Sequence, residues 1–296
     1  MVRANGQEYD GQWDKGIPHG TGKEVSPDGD IYQGELVQGQ KHGQGKLIRK
    51  SGATYEGTWN QGVPDGRGME THVNGPTFEG IYVKGLQHGL GKMTFPDGSI
   101  FEGMFETGKT TSGKMTTATG DVYEGNFQDN QRQGQGKLVT TSGTCYEGSF
   151  LNGMPDGSGR HTNAEGDTYE GQFSQGQRSG QGKLVMTSGR IFEGCWEANM
   201  PHGQIKETTD DGDVYEGEFA QGTRCGAGVL LLKSGKIYEG QFADGRPSGE
   251  GKLTVPGEMY YIGRFKPIGS EKFCLQGKVV YEDGREVEGE WGDVEK

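Results

Sequence analysis

The sequence predicts an all-β protein of tandem β-hairpin repeats, about 23 residues each, that form one elongated, twisted, rod-like antiparallel sheet. Three observations support this fold class. A tripeptide of an aromatic residue, usually an acidic residue, and glycine recurs along the whole chain. Aromatic residues and glycine alternate with a period of two at each recurrence, as they do on one face of a strand. Proline and glycine are too frequent in the repeats for helical repeats.

The repeats begin at regular positions. The steps between their starts are 23 residues, except for one step of 22 from Phe101 to Tyr123 and one of 26 from Tyr261 to Val287. A fixed short period means that each repeat packs on its neighbours and that no single enclosed core exists. We therefore expect one array over residues 1–296. Its thirteen repeats start near residues 9, 32, 55, 78, 101, 123, 146, 169, 192, 215, 238, 261 and 287.

The third repeat illustrates the expected elements. Tyr55, Gly57 and Trp59 share one face of a first strand, where the glycine should leave room for a neighbouring ring. Residues 60–65 are rich in turn formers and predict a loop. A second strand should open at Gly66 and end at the next Asn-Gly pair. Each repeat is thus predicted to be one hairpin.

Composition narrows the class of protein. Of the 296 residues, 29% are hydrophobic and 58 are glycine, too few apolar side chains for an ordinary core, while aromatic residues in register argue against disorder. The net charge of −12 disfavours nucleic acid as a partner. No apolar run has the length of a membrane span or signal sequence, so we expect a cytoplasmic protein. Four cysteines at unlike positions of different repeats predict free thiols: Cys145, Cys195, Cys225 and Cys274.

The repeat resembles a known family motif. Tyr-Glu-Gly-x-Phe/Trp is followed by Asn-Gly or Gln-Gly and then by His-Gly-x-Gly-Lys, the latter as in residues 42–46. This pattern is similar to the membrane occupation and recognition nexus (MORN) repeat, and the resemblance covers nearly the whole chain. Departures lie at Leu36, at Thr111 in place of the first glycine, and at Ile205 in place of the second. Extra residues at 266–276 leave the geometry of the last hairpin open.

The resemblance implies a sheet of consecutive hairpins without intrinsic catalysis. It further implies a scaffold or docking module in cytoskeletal, ciliary or membrane-contact assemblies. We therefore expect a non-enzymatic scaffold, associated with the cytoskeleton, in a cytoskeletal or ciliary (axonemal) assembly, with other proteins of that assembly as partners. The alternative is a peripheral membrane module that binds acidic phospholipids, which the family name and a row of lysines suggest and the acidic balance disfavours.

The two aromatic positions of each repeat predict a ladder of rings along one face of the sheet. We expect this ladder to be mainly structural, with peptide binding at its exposed ends as the alternative. The predicted ladder residues are Tyr55, Trp59, Phe101, Phe105, Tyr146, Phe150, Tyr169, Phe173, Tyr215, Phe219, Tyr238 and Phe242.

A finer pattern groups the repeats in pairs. Two positions after the second glycine, even repeats carry an apolar residue, whereas most odd repeats carry Glu or His. Growth by duplication of a two-hairpin block explains this without any function. Alternatively, the apolar side chains form a row that docks a partner of matching repeat, for which a second copy running antiparallel is one candidate. The candidate partner-binding residues are Leu47, Met93, Leu138, Leu184, Leu230, Leu231 and Leu232.

The sequence offers little for chemistry, and we expect no catalytic, cofactor-binding or metal-binding residue. Residues 108–114 mimic a phosphate-binding loop, but Met115 occupies the place of the required Ser or Thr, and no helix should follow. Histidines at one point of different repeats would lie ~10 Å apart, too far to share a zinc ion. The acidic and lysine rows predict cross-strand pairs on the solvated face, with a cation or lipid stripe as the functional alternative.

Overall fold

The computed structural model describes residues 6–268 and 272–295 of the chain. The chain divides into two compact halves, Met1–Thr141 and Ser142–Lys296. All regular structure in the described residues is β-strand, which confirms the predicted all-β class of tandem hairpins.

The first half contains twelve strands. Within this half, consecutive strands of the described residues pair antiparallel, from β1 with β2 to β11 with β12. Their bounds are β1 (Glu8–Asp14), β2 (Ile17–Val25), β3 (Ile31–Val37), β4 (Gln40–Ile48), β5 (Thr54–Asn60), β6 (Val63–Thr71), β7 (Thr77–Val83), β8 (Leu86–Thr94), β9 (Ile100–Glu106), β10 (Lys109–Thr116), β11 (Val122–Gln128) and β12 (Gln131–Val139).

The described residues of the second half form thirteen strands with the same consecutive antiparallel pairing. Their bounds are β13 (Cys145–Leu151), β14 (Met154–Thr162), β15 (Thr168–Ser174), β16 (Gln177–Val185), β17 (Ile191–Glu197), β18 (Met200–Thr208), β19 (Val214–Ala220), β20 (Thr223–Leu231), β21 (Ile237–Ala243), β22 (Arg246–Val255), β23 (Met259–Ile268), β24 (Lys272–Tyr281) and β25 (Glu286–Glu295).

The turn inside each of the first eleven hairpins is tighter than the sequence predicted. In the third repeat, β5 continues to Asn60 and β6 starts at Val63, so only Gln61 and Gly62 form the turn, with φ of 50° and 86°. Two consecutive residues with positive φ make a type I′ turn, whose twist matches that of the paired strands. The expected loop at 60–65 was therefore wrong, because Pro64 lies within β6, opposite Trp59.

Successive turns are tied to one another by backbone hydrogen bonds. The Gly62 N–H donates to the carbonyl of Lys41 in the preceding hairpin at 2.9 Å. The Gly85 N–H donates in the same way to Pro64 at 2.8 Å. Proline is tolerated at this point because its carbonyl, and not the missing N–H, makes the contact with the next hairpin.

A β-bulge follows the turn. Gly57 pairs with Gly68 and Trp59 pairs with Pro64, so β6 carries two residues more than β5 between these pairs. Gly66 lies in this bulge with φ of 106°, a conformation that favours glycine.

The residue that the 22-residue repeat lacks is missing from its bulge. Between Phe105–Thr110 and Met104–Ser112, β10 carries a single additional residue, Thr111. Thr111 is not among the residues with positive φ. The missing residue therefore shortens the bulge from two residues to one, and a β-branched residue fits there without strain.

Aspartates in alternate connecting loops bond to the loop of the following hairpin. The side chain of Asp30 accepts the backbone N–H of Lys50, in the following loop, at 2.9 Å. The same bond joins Asp167 to Thr187 at 2.8 Å and Asp213 to Lys233 at 2.8 Å. At these three places, an aspartate thus fastens the loop of the next hairpin to its own.

The C-terminal hairpin is regular where it is described. β23 and β24 pair from Met259–Tyr281 to Ile268–Lys272 without a bulge, and β25 pairs with β24. The extra residues of this repeat therefore lengthen the two strands. The turn at 269–271 and the side chain of Cys274 lie outside the described residues.

Candidate functional site

Within each half, the aromatic face of the sheet carries a series of edge-to-face ring contacts. Tyr55 lies 5.0 Å from Trp59 of its own hairpin and 5.1 Å from Tyr82 of the next, with rings at 86° and 89°. The Trp59 indole also donates a hydrogen bond to the Gly45 carbonyl at 3.0 Å. Every predicted ladder residue is at most 7% exposed. The rings therefore pack against one another and leave little apolar surface for a partner.

Each tyrosine ring lies over the glycines of its own hairpin. A Cβ on Gly68 would come within 2.3 Å of the Tyr55 hydroxyl, and one on Gly57 within 2.4 Å of the Gly68 Cα. The Tyr55 hydroxyl donates to the Thr58 carbonyl at 3.1 Å. Burial raises the pKa of Tyr55 to about 12. The glycines thus make room for the ring of the same repeat, where a neighbouring ring was expected.

The candidate partner-binding row does not form one exposed surface. Leu47 lies directly opposite Tyr32 on one side and Tyr55 on the other, within the aromatic face. Leu47, Leu230 and Leu232 are buried, and Met93, Leu138 and Leu184 are partly buried. Leu231 is 44% exposed and pairs with Val214 and Ile237 on the opposite face.

The expectation that these apolar side chains form one exposed row is therefore wrong for Leu47, Leu230 and Leu232, which are buried. A side chain opposite two tyrosines fills the space between their rings, which leaves little of it for a partner. Docking at these leucines remains a prediction.

The other face carries the expected cross-strand pairs of lysine and glutamate, and we call it the lysine–glutamate face. Lys46 bonds to Glu56 at 2.9 Å and Lys92 to Glu102 at 3.1 Å. In the second half, Lys183–Glu193 and Lys206–Glu216 repeat the arrangement at 3.2 and 2.6 Å. These side chains are about half exposed, so each pair stabilises the sheet only weakly.

One stretch of the lysine–glutamate face departs from this pattern. Met69 stands where neighbouring hairpins carry lysine, opposite Glu56 and Glu79. Beside it, Leu90 pairs with Met104. Met69, Leu90 and Met104 are 43%, 69% and 41% exposed. Met69, Ile81 and Leu90 line a depression of about 1020 Å³ that we call the methionine groove, and Met104 lies beside it, opposite Leu90. An apolar residue at a position that is basic in most hairpins could have revealed it in the sequence.

A smaller cavity lies on the aromatic face of the second half. It has a volume of about 360 Å³ and contains His161 and Arg178. The Arg178 guanidinium lies 4.7 Å from the ring centre of Trp196 and 5.5 Å from that of Tyr169, so the cation stacks between two aromatic rings. We call this cavity the Arg178 pocket. The replacement of glutamate by His161 is the only sign of it in the sequence.

One carboxylate is completely buried. Glu207 has no exposed surface and bonds to the Arg224 Nε at 2.6 Å and to the Arg190 Nε at 2.7 Å. In the same hairpin Ile205 replaces the second glycine, and the centroids of Phe192 and Trp196 are 6.4 Å apart. The isoleucine side chain occupies the space over which the ring lies in other repeats, so the ring contact is longer there.

The described residues contain no cluster of side chains arranged for metal binding. No set of three or more His, Cys, Asp or Glu side chains there could hold a metal ion. Residues 108–114, which mimic a phosphate-binding loop, run from the hairpin turn into β10. The thiols of Cys145, Cys195 and Cys225 are free. The described part of the chain has no helix with the length and apolar character of a membrane span.

Two solved structures that are similar to this chain are distant likenesses. The SAS-4 TCP domain of Drosophila melanogaster, in complex with a proline-rich motif of Ana2, is 16% identical with a TM-score of 0.32, over 50% of this chain and 82% of that one. The TCP10 domain of Danio rerio CPAP, in complex with a STIL peptide, is 12% identical with a TM-score of 0.24, over 93% and 98%. Scores this low carry no argument. No curated protein matches the chain.

A family model for the MORN repeat matches most of the chain. The starts that it leaves unmatched are those near residues 101, 261 and 287, and β9 and β10 nevertheless form a hairpin at the first of them. The matches cover residues 9–31, 32–54, 55–77, 78–100, 123–145, 146–168, 169–189, 192–214, 215–237 and 238–256. The chain therefore belongs to the MORN repeat family.

Proposed function

We propose that the chain is a non-enzymatic scaffold that binds other proteins of a cytoskeletal or ciliary assembly. The supporting observation is the methionine groove. The aromatic rings are buried against one another, whereas Met69, Leu90 and Met104 expose apolar surface on a face otherwise covered by charged pairs. Exposed apolar surface with a polar border is typical of protein interaction sites.

Charge around the groove indicates the kind of partner segment. Glu56, Glu79 and Glu102 line it, with Arg67 and Lys92 as the basic residues. Glu79 makes no ion pair within residues 6–268 and 272–295, because Met69 replaces the lysine of neighbouring hairpins. The groove therefore suits a segment that carries basic side chains beside its apolar ones.

Site-specific photo-crosslinking tests this proposal. A photoreactive amino acid in place of Leu90 should capture a partner segment of that composition in cell extract, identified by mass spectrometry. The same group in place of Ser158, at the equivalent point of the second half, is the control. Met69→Lys, which restores the lysine found at Lys46 and Lys92, should lower the crosslink at position 90 by about tenfold. Val229→Lys makes the matched exchange in the second half and should leave it unchanged.

Phospholipid binding is the competing outcome. The observed pairing of lysines with glutamates reduces the charge available to an anionic membrane. The unmodified chain should therefore remain in the supernatant when vesicles containing phosphoinositide are sedimented. Cosedimentation with such vesicles, together with equal crosslinking by Met69→Lys, would contradict the scaffold proposal.

A further inference from the structure

A cation occupies the same place in several alternate hairpins. Arg178 and Arg224 are equivalent residues, each at the second position after a hairpin turn and each stacked on aromatic rings. The residue seventeen positions earlier faces the cation from the preceding hairpin. At Arg224 that residue is Glu207, whose buried carboxylate bonds to the Arg224 Nε at 2.6 Å. At Arg178 the corresponding residue is His161, which lines the same cavity.

Arg178 therefore lacks the carboxylate that its counterpart has. Its Nη2 donates to the Asn199 carbonyl at 2.9 Å, and its backbone N–H donates to the Asn199 Oδ1 at 2.8 Å. Within the described residues it makes no ion pair, and its Nε–H and Nη1–H have no acceptor. Burial lowers the pKa of Arg178 and, with the nearby Arg178 charge as a second cause, that of His161. The half-buried guanidinium thus retains donors for an incoming anion.

The pocket has the size and walls for one acidic side chain. Leu184 and Met186 offer apolar contact to methylene groups. Asp167 also lines the pocket, but its carboxylate accepts from Asn163 at 3.1 Å and from the Thr187 N–H at 2.8 Å. Inside the pocket, the Asp167 charge disfavours a doubly charged phosphate more than a single carboxylate.

We propose that the Arg178 pocket binds the side-chain carboxylate of a glutamate in an acidic segment of a partner protein. This glutamate takes the place that Glu207 fills at Arg224. A carboxylate accepts two parallel N–H bonds from a guanidinium, and the neutral His161 ring has one further N–H to donate. The site differs in chemistry and in face from the methionine groove, and it stands even if that groove binds nothing.

Peptide titration of the full chain tests this site. The probes are a fluorescently labelled, blocked peptide with four glutamates spaced by alanine and the same peptide with glutamines, followed by anisotropy at constant ionic strength. We expect the glutamate peptide to bind at least about tenfold more tightly. The ¹⁵Nε resonance of Arg178 should shift on titration with the glutamate peptide. Inorganic phosphate at matched ionic strength should not displace the peptide.

Two variants examine the mechanism. His161→Glu recreates the arrangement of Glu207 with Arg224 and should abolish binding by filling the pocket from within. Arg178→Gln, which introduces the residue found at Gln87, should weaken binding by about tenfold. Ser158→Glu adds the same charge on the opposite face, where Glu250 stands in another hairpin, and should bind as the unmodified chain does.

Some outcomes would overturn the inference. These are equal affinity for the two peptides, no measurable binding of either, displacement by phosphate, or retained binding in both pocket variants with unchanged circular dichroism. None of these readouts involves Met69 or Leu90, so failure at the pocket is distinguishable from failure of the proposed scaffold function.

Discussion

At the scale of single residues, the tightest constraint is the space between a tyrosine ring and two glycines. The Tyr55 hydroxyl, the Gly68 Cα and the Arg67 carbonyl all lie within 3 Å of where a Gly57 Cβ would stand. The Gly68 Cα and the Arg67 carbonyl oxygen belong to the backbone, so they cannot move aside as a flexible side chain can. The glycine is needed for space, because its φ is not in the left-handed region.

We expect Gly57→Ala to lower the free energy of unfolding by about 2–3 kcal/mol through overpacking. Gly289→Ala is the matched control, because Val287 replaces the tyrosine there and the new Cβ would stand 3.5 Å from Trp291. Chemical unfolding followed by circular dichroism measures both. Equal stability of the two variants would show that the ring does not enforce the glycine.

At the scale of elements, the hairpin turn stores local strain. Gln38, Gln61, Lys84 and Gln175 have φ near 50° and precede a glycine. This conformation is unfavourable for most residues, and asparagine tolerates it better. Asn152 already occupies the equivalent position in another hairpin, with φ of 51°. The turn geometry is therefore kept even where the residue at its first position does not suit it.

Replacing Gln38, Gln61, Lys84 and Gln175 together by asparagine should stabilise the protein by about 0.5 kcal/mol per turn. Differential scanning calorimetry should show a higher Tm for the fourfold variant. The reverse exchange, Asn152→Gln, should lower the Tm by roughly a quarter of that gain. An unchanged Tm in both would mean that the left-handed turn residue costs nothing here.

At the scale of the whole molecule, stability rests on many equivalent buried phenols. Each half contains them on its aromatic face, where they contact other rings. Burial, as the main cause, raises the pKa of these phenols to about 12: Tyr32, Tyr55, Tyr146, Tyr169, Tyr215 and Tyr238. The folded state therefore holds the phenol proton more tightly than the unfolded state, in which the pKa is about 10.

This difference predicts alkaline unfolding. The stability that the buried, protonated phenols contribute is fully present below pH 10. It declines as the phenols of the unfolded state ionise, and it is lost as the pH passes through about 12. Tyrosine absorbance and circular dichroism, recorded together from pH 8 to 12.5, should change in the same pH interval. Ionisation near pH 10 with the sheet intact would show that the phenols are accessible to solvent.

Much of the fold follows from the periodic residues alone. The alternation of Tyr55, Gly57 and Trp59 defined a strand face, and the 23-residue period defined consecutive hairpins. The turn was placed too broadly because Pro64 and Asp65 favour loops in general, whereas pairing with β5 holds them in a strand. The conformational preference of a single residue cannot show that a neighbouring strand is present to pair with it.

The chain's repeat determined its class, its strands and its family, because each hairpin carries enough local information to specify itself. Exposure is different, because it depends on what lies across the strand. Leu47 is covered by the rings of Tyr32 and Tyr55, whereas Leu90 lies opposite Met104 on an open face. His161 becomes notable only where folding sets it beside Arg178. These contacts join residues from different hairpins, so the sequence of a single repeat cannot predict them.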